Sequence, residues 1–137
     1  MVFHWSCDRI VPSSNRKLTF GGDGAATIAT GALLISDPVE LDLPSLADVA
    51  VTVHLPDDLP PSFGITGRYA RVTNYISPLG NFADAEIMPV GRITDDWYVI
   101  SGIDVMAEAG TGGIVALGDS LTDANISRHD EIGRAHV

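Results

Sequence analysis

The chain has 137 residues, 45% of them hydrophobic and 19% charged, which is ordinary for a globular domain with its own core. Its net charge of −10 would repel a phosphate backbone, so we expect no nucleic-acid partner. No apolar run reaches the ~18 residues that a membrane span needs, and the start lacks the basic and apolar regions of a signal peptide. Cys7 is the single cysteine, which excludes an internal disulfide and leaves the compartment open.

Short strands separated by Gly and Pro are predicted throughout residues 1–107. The clearest covers residues 48–55, where Val49, Val51 and Val53 alternate with smaller or polar residues. The first predicted strand begins at residue 17, and no amphipathic helix precedes residue 120. We therefore predict a mainly β fold, an antiparallel, jelly-roll-like β-sandwich or a partial barrel. The predicted strands span residues 17–20, 25–36, 38–43, 48–55, 67–77 and 96–106.

Residues 113–118 differ from these strands because they are apolar on both faces. Such a run is typical of the buried first strand of an α/β sheet, and residues 121–131 are then predicted to open the following helix. The glycine-rich residues 108–112 are interpreted as a linker. The run Gly-Thr-Gly-Gly from Gly110 lacks the lysine of a phosphate loop and precedes a strand instead of following one.

A serine lies in the turn directly after this apolar run. Gly118 and Asp119 precede Ser120, and Asp123 follows it. A serine between a strand and a helix projects its hydroxyl into a crevice, and the backbone N–H groups at the helix start can stabilise an oxyanion. The alternative is a turn in which Asp119 or Ser120 only caps a helix.

Residues 114–123, IVALGDSLTD, resemble the first sequence block of the SGNH (GDSL) hydrolase family of esterases and lipases. Further segments resemble, in the same order, parts of the N-terminal β-domain of a bacterial subgroup: residues 18–22, 36–39, 47–51 and 97–105. The resemblance implies that residues 1–107 are a β-sandwich accessory domain and that residues 113–131 begin an α/β hydrolase domain. Residues 1–8 match no recognised part of that β-domain, so we expect the accessory domain to be incomplete at its N-terminus. It also implies that Ser120 is the nucleophile and a backbone donor to the oxyanion hole. The substrate would be a small ester, a lipid or an acylated carbohydrate, hydrolysed without metal or cofactor.

The family's late Asp-x-x-His motif is missing. None of the four histidines has an aspartate three positions earlier, so no motif supplies Ser120 with its base and the acid that orients the base. We therefore expect a truncated, inactive fragment. Residues 132–137, IGRAHV, match one reading frame of a common sequencing adapter, and we interpret them as adapter read-through. The unpartnered strand 113–118 is expected to allow self-association.

Three other functions compete with the hydrolase as interpretations of this sequence. Asp119 and Asp123 could hold Mg²⁺ in a haloacid-dehalogenase-like phosphatase, but the chain lacks the Asp-x-Asp motif of that family. His4 and His54 are 50 residues apart in sequence and are not interpreted as a metal site. A non-catalytic β-sandwich module that binds carbohydrate or a partner protein stays open. Its stacking surface would come from aromatic residues for which core packing is the alternative: Trp5, Tyr69, Tyr75, Trp97 and Tyr98.

Overall fold

Short antiparallel strands make up almost all of the regular structure. A computed structural model describes residues 2–5, 9–44, 47–56, 65–67, 70, 72–119 and 122. Within these residues the mainly β prediction is confirmed, and the only helix is one 3₁₀ turn at Pro12–Ser14. The strands are β1 (Val2–Trp5), β2 (Val53–His54), β3 (Ile65–Gly67), β4 (Asn74–Ile76), β5 (Arg92–Thr94) and β6 (Trp97–Tyr98).

The larger sheet has the strand order β2-β1-β4-β5, and every pair in it is antiparallel. Its centre is the pairing of β1 with β4, in which His4 lies opposite Tyr75 and Trp5 opposite Asn74. Residues 2–5, over which no strand is predicted from the sequence, thus form a strand inside this sheet. Strands β3 and β6 form a separate two-stranded sheet.

The core of the described residues is small and lies against β4. Ile76 and Met88 are its buried hydrophobic residues, and Asn74 and Ser77 are buried beside them. Asn74 is fully buried, and its side-chain amide donates to the carbonyl oxygens of Val72 at 3.0 Å and Asp96 at 3.2 Å. These two bonds tie the start of β4 to the residue before β6.

Turns interrupt several predicted strands. No strand forms over residues 25–36, because the Ala32 amide donates to the Ala29 carbonyl at 3.0 Å and Gly31 adopts a φ of 78°. The predicted strand 48–55 is reduced to β2. Residues 38–43 form no strand, and Phe20 pairs only with Asp23 in an isolated bridge.

The predicted strand over residues 96–106 ends after β6. The Ile100 amide donates to the Tyr98 carbonyl at 2.8 Å, and Val99 between them has a φ of 59°. This is a γ-turn with positive φ at its central residue, a strained conformation for a β-branched side chain. It stops the ladder at Tyr98, so the following residues leave the sheet.

Residues 101–119 lie outside both sheets and are exposed along their whole length. Residues 113–118 form no strand, so that part of the prediction is wrong for this structure. The side chains of Ile114, Val115 and Leu117 are 91–100% exposed, as expected for an apolar run without the rest of its sheet. A β-turn in this segment is closed by the Thr111 amide, which donates to the Glu108 carbonyl at 3.1 Å, with Gly110 at a φ of 94°. Within the described residues, no helix is long and apolar enough to cross a lipid bilayer.

Candidate functional site

The Gly-Asp-Ser turn is described in part. Gly118, Asp119 and Thr122 belong to the described residues, whereas Ser120 and Asp123 lie outside them, as do the predicted helix 121–131 and residues 132–137. Nothing structural is therefore assigned to the serine hydroxyl. The described geometry of the turn comes from Gly118, Asp119 and Thr122.

Gly118 and Thr122 are in close contact across the turn. A Cβ atom on Gly118 would lie 2.6 Å from the Thr122 Cβ and closer still to its hydroxyl oxygen, distances at which atoms overlap. Only glycine fits at this position while the threonine folds back over it. The turn is therefore tight, and residue 118 is fixed by a steric requirement.

A shallow depression lies beside this turn. Its lining residues are Ala116, Gly118, Asp119 and Thr122, and its volume is about 190 Å³. Ligand pockets usually enclose ~300–1,000 Å³, so the depression is too small and open to bury a drug-sized substrate. It offers a carboxylate and a threonine hydroxyl, but its lining contains no histidine to act as a general base.

The histidines and acids form no metal site within the described part of the chain. The larger sheet brings the strands of His4 and His54 side by side, with Val2 opposite His54. Even so, no group of three potential metal-ligating side chains occurs among the described residues. The Mg²⁺ interpretation rests on Asp119 and Asp123, and the second of these lies outside the described residues.

Among the side chains that the structure describes, the aromatic residues do not form one stacking surface. Trp97 and Tyr98 are consecutive in β6 and half-buried, and consecutive strand residues face opposite sides of a sheet. Tyr98 is fixed by a hydrogen bond, since Arg92 Nη2 donates to its hydroxyl oxygen at 3.2 Å. Tyr75 lies in the other sheet, and Tyr69 lies outside the described residues. The predicted five-residue platform is therefore not assembled in the part of the structure that can be described.

A polar cluster that the sequence did not reveal surrounds Asp37. Its carboxylate accepts hydrogen bonds from the Thr19 hydroxyl at 2.6 Å, the Gly22 amide at 2.8 Å and the Gly21 amide at 3.0 Å. These three bonds, that from Thr19 above all, lower the pKa of Asp37 from 3.8 against a small opposing effect of desolvation. The cluster joins residues 18–22 to residues 36–39, two of the segments on which the resemblance to the accessory β-domain rests.

The two glycines of this cluster are required by their backbone conformation. Phe20 and Asp23 exchange two backbone hydrogen bonds around them, and Gly21 and Gly22 have φ values of 63° and 90°. Positive φ at both central residues defines a type I′ turn, which aims successive amides at one point. Asp37 occupies that point, so the cluster binds its own anion and stabilises the turn.

No protein-family model, curated protein or solved structure matches the chain. The resemblance to SGNH hydrolases therefore rests on the residues of the sequence, and above all on residues 114–123.

Proposed function

We propose that this chain is a fragment of a serine carboxylic-ester hydrolase of the SGNH type, inactive by itself. Its first 107 residues would be a jelly-roll-like β-sandwich accessory domain, and residues 113–131 the first strand and nucleophile turn of the α/β domain. The observation that carries the proposal is the block IVALGDSLTD at residues 114–123. It combines an apolar strand, a tight glycine turn and a serine between two acids.

The exposed surface of residues 114–117 supports this assignment. Burying a valine, leucine or isoleucine side chain stabilises a protein by ~1.5–3 kcal/mol, so leaving Ile114, Val115 and Leu117 in water is costly. A run of this composition is typical of a strand covered on both faces by helices. The close contact of Gly118 with Thr122 is consistent with the sharp turn that such a strand needs to present a nucleophile.

The proposed parent reaction needs a base that this chain does not supply. Ser120 Oγ would attack the ester carbonyl carbon, its proton would pass to a base, and the alcohol would leave from an acyl-serine intermediate that water then hydrolyses. No Asp-x-x-His motif is present in the sequence, and no histidine lines the depression beside Asp119. Loss of triad members lowers the rate ~10⁴–10⁶-fold, so we expect no measurable esterase activity.

A comparison of variants tests the predicted inactivity. The hydrolysis of p-nitrophenyl acetate is measured for the chain, for Ser120→Ala and for Ser101→Ala, which removes an exposed serine away from the turn. We expect three equal rates. A rate that falls with Ser120→Ala alone would show an active serine and contradict inactivity.

The family assignment is tested separately on the source DNA. An Asp-x-x-His encoded after residue 131 would support the hydrolase, whereas a natural stop codon after Val137 would contradict the fragment proposal.

A binding module is the second candidate, favoured by Tyr98. This half-buried ring is held by Arg92 and lies in a short two-stranded sheet, so its hydroxyl and ring face have a fixed geometry. Retention on immobilised polysaccharides is the test, with Tyr98→Ala as the variant and Tyr75→Ala, in the larger sheet, as the control. Retention that only Tyr98→Ala abolishes would support this function, and no retention on any glycan would count against it.

A further inference from the structure

The strand β5 leaves one side of the larger sheet open. Within the described residues it forms its ladder with β4 alone and stands last in the strand order. Its central residue, Ile93, is 62% exposed, and Arg92 beside it is also exposed. Arg92 donates to the Tyr98 hydroxyl through Nη2 only, and its guanidinium carries further N–H donors that an incoming carboxylate can use. An edge strand with unpaired backbone groups and an exposed apolar residue is a template for the addition of another strand.

Residues 101–107 have the complementary features. They form neither helix nor strand, and none of their backbone groups makes a hydrogen bond within the described part of the chain. Ile103 and Val105, 50% and 65% exposed, alternate with Asp104, which is the pattern of a strand that buries one face. This short segment therefore has the sequence of a strand but no partner strand among the described residues.

We propose that residues 102–105 of one copy add as an antiparallel strand to β5 of a second copy. In the register that places Asp104 opposite Arg92, Ile103 lies opposite Ile93. One face then carries an ion pair and the other an apolar pair, each of which stabilises neighbouring strands. A register shifted by one residue would place Asp104 opposite Ile93 and lose both pairs.

A second copy is the occupant that these residues favour because one chain carries both halves of the interface. The acceptor edge offers a cation beside an isoleucine, and the donor offers an anion beside an isoleucine. In the structure the donor is exposed, so it does not cover the edge of its own chain. This inference concerns the β-domain alone and does not depend on the proposed hydrolase function.

Charge reversal provides the first test, by light scattering after size-exclusion chromatography over a range of concentrations. We expect the chain to dimerise or assemble further, and Asp104→Arg or Arg92→Asp to weaken association at least tenfold. The double variant Arg92→Asp with Asp104→Arg should restore it. Asp42 is an exposed acid elsewhere in the chain, and Asp42→Arg changes the net charge by the same amount as Asp104→Arg. It is the matched control and should associate like the unmodified chain.

Cross-linking provides the second test and identifies the strands. In a Cys7→Ser background, one preparation carries Ile93→Cys and the other Ile103→Cys, and the two are mixed under oxidising conditions. We expect a mixed disulfide dimer, and none when Leu33→Cys, an exposed position outside the interface, replaces either. A chain that stays monomeric at every concentration, a double charge variant that is not restored, or a mixed dimer no more abundant than the Leu33→Cys control would each overturn the proposal.

Discussion

Asn74 allows a quantitative test of how the small core is held together. Its amide group donates to two backbone carbonyls, of Val72 and Asp96, while its Oδ1 atom is buried without a hydrogen-bond partner within the described residues. Two variants separate these effects. Asn74→Leu removes both the donor and the unpartnered oxygen, whereas Asn74→Asp removes the donor and keeps buried oxygens.

The expected magnitudes follow from the hydrogen bonds. Each carbonyl left without its donor costs ~1–3 kcal/mol of unfolding free energy, a loss that both variants share. Asn74→Leu regains a similar amount by eliminating the unpartnered oxygen and burying more apolar surface, so we expect a net loss of ~1–3 kcal/mol. Asn74→Asp regains nothing, and a fully buried carboxyl has a pKa raised by up to ~3–5 units, which costs up to ~4 kcal/mol at pH 7, so we expect it to be less stable than the leucine variant by about that amount.

The pH dependence separates charge burial from loss of packing. A carboxyl whose pKa is raised in the folded state favours folding at low pH and opposes it as the pH rises above the unfolded pKa of ~3.9. The gap between the two variants should therefore narrow from pH 7 to pH 4. Urea unfolding followed by tryptophan fluorescence measures it. If the variants were equally stable at pH 7, or the gap did not depend on pH, the described environment of residue 74 would be refuted.

Three further predictions concern the turns and the exposed segment. Because the pKa of Asp37 is lowered in the folded chain, its contribution to stability is present above the unfolded pKa of ~3.9 and is lost as the pH falls from there through the lower folded pKa, so Asp37→Asn should flatten acid unfolding; an unchanged acid transition would contradict its hydrogen bonds. Val99→Gly should raise the unfolding free energy by ~1 kcal/mol through relief of the positive φ, and a lower urea midpoint would argue against that strain. Limited proteolysis with thermolysin should cut first within residues 101–119, and first cuts next to the buried Ile76 would contradict the exposure of that segment.

The class of fold could be predicted from the sequence, but the positions of most strands could not. Strands of two to four residues are too short for an alternation of apolar and polar residues to become visible. For this reason no strand is predicted from the sequence over β1 or over β5. Conversely, residues 25–36 contain Ile28, Leu33 and Ile35, which favour a strand, but the turn at Gly31 divides them and leaves their side chains exposed. Apolar content alone was a poor guide because burial depends on contacts between residues distant in the chain.

The polar groups that hold the described fold could not be predicted for the same reason. The Gly21-Gly22 pair indicated a turn, and the structure contains it. Nothing in the sequence indicated that Asp37 would cap this turn from 15 residues away or that Asn74 would be fully buried. At the Gly-Asp-Ser turn, the sequence explains the glycine and the apolar run, and it contains no Asp-x-x-His motif that would give Ser120 a base.

The exposed apolar side chains of residues 101–119 decide how stable this chain can be. The larger ones are Ile103, Val105, Met106, Ile114, Val115 and Leu117. At ~1.5–3 kcal/mol each, covering them would contribute on the order of 10 kcal/mol, as much as the whole stability of a typical small domain. The core around β4 has only Ile76 and Met88 as buried hydrophobic residues within the described part of the chain. A surface that covered the whole of this segment would therefore contribute more to folding than the described core does.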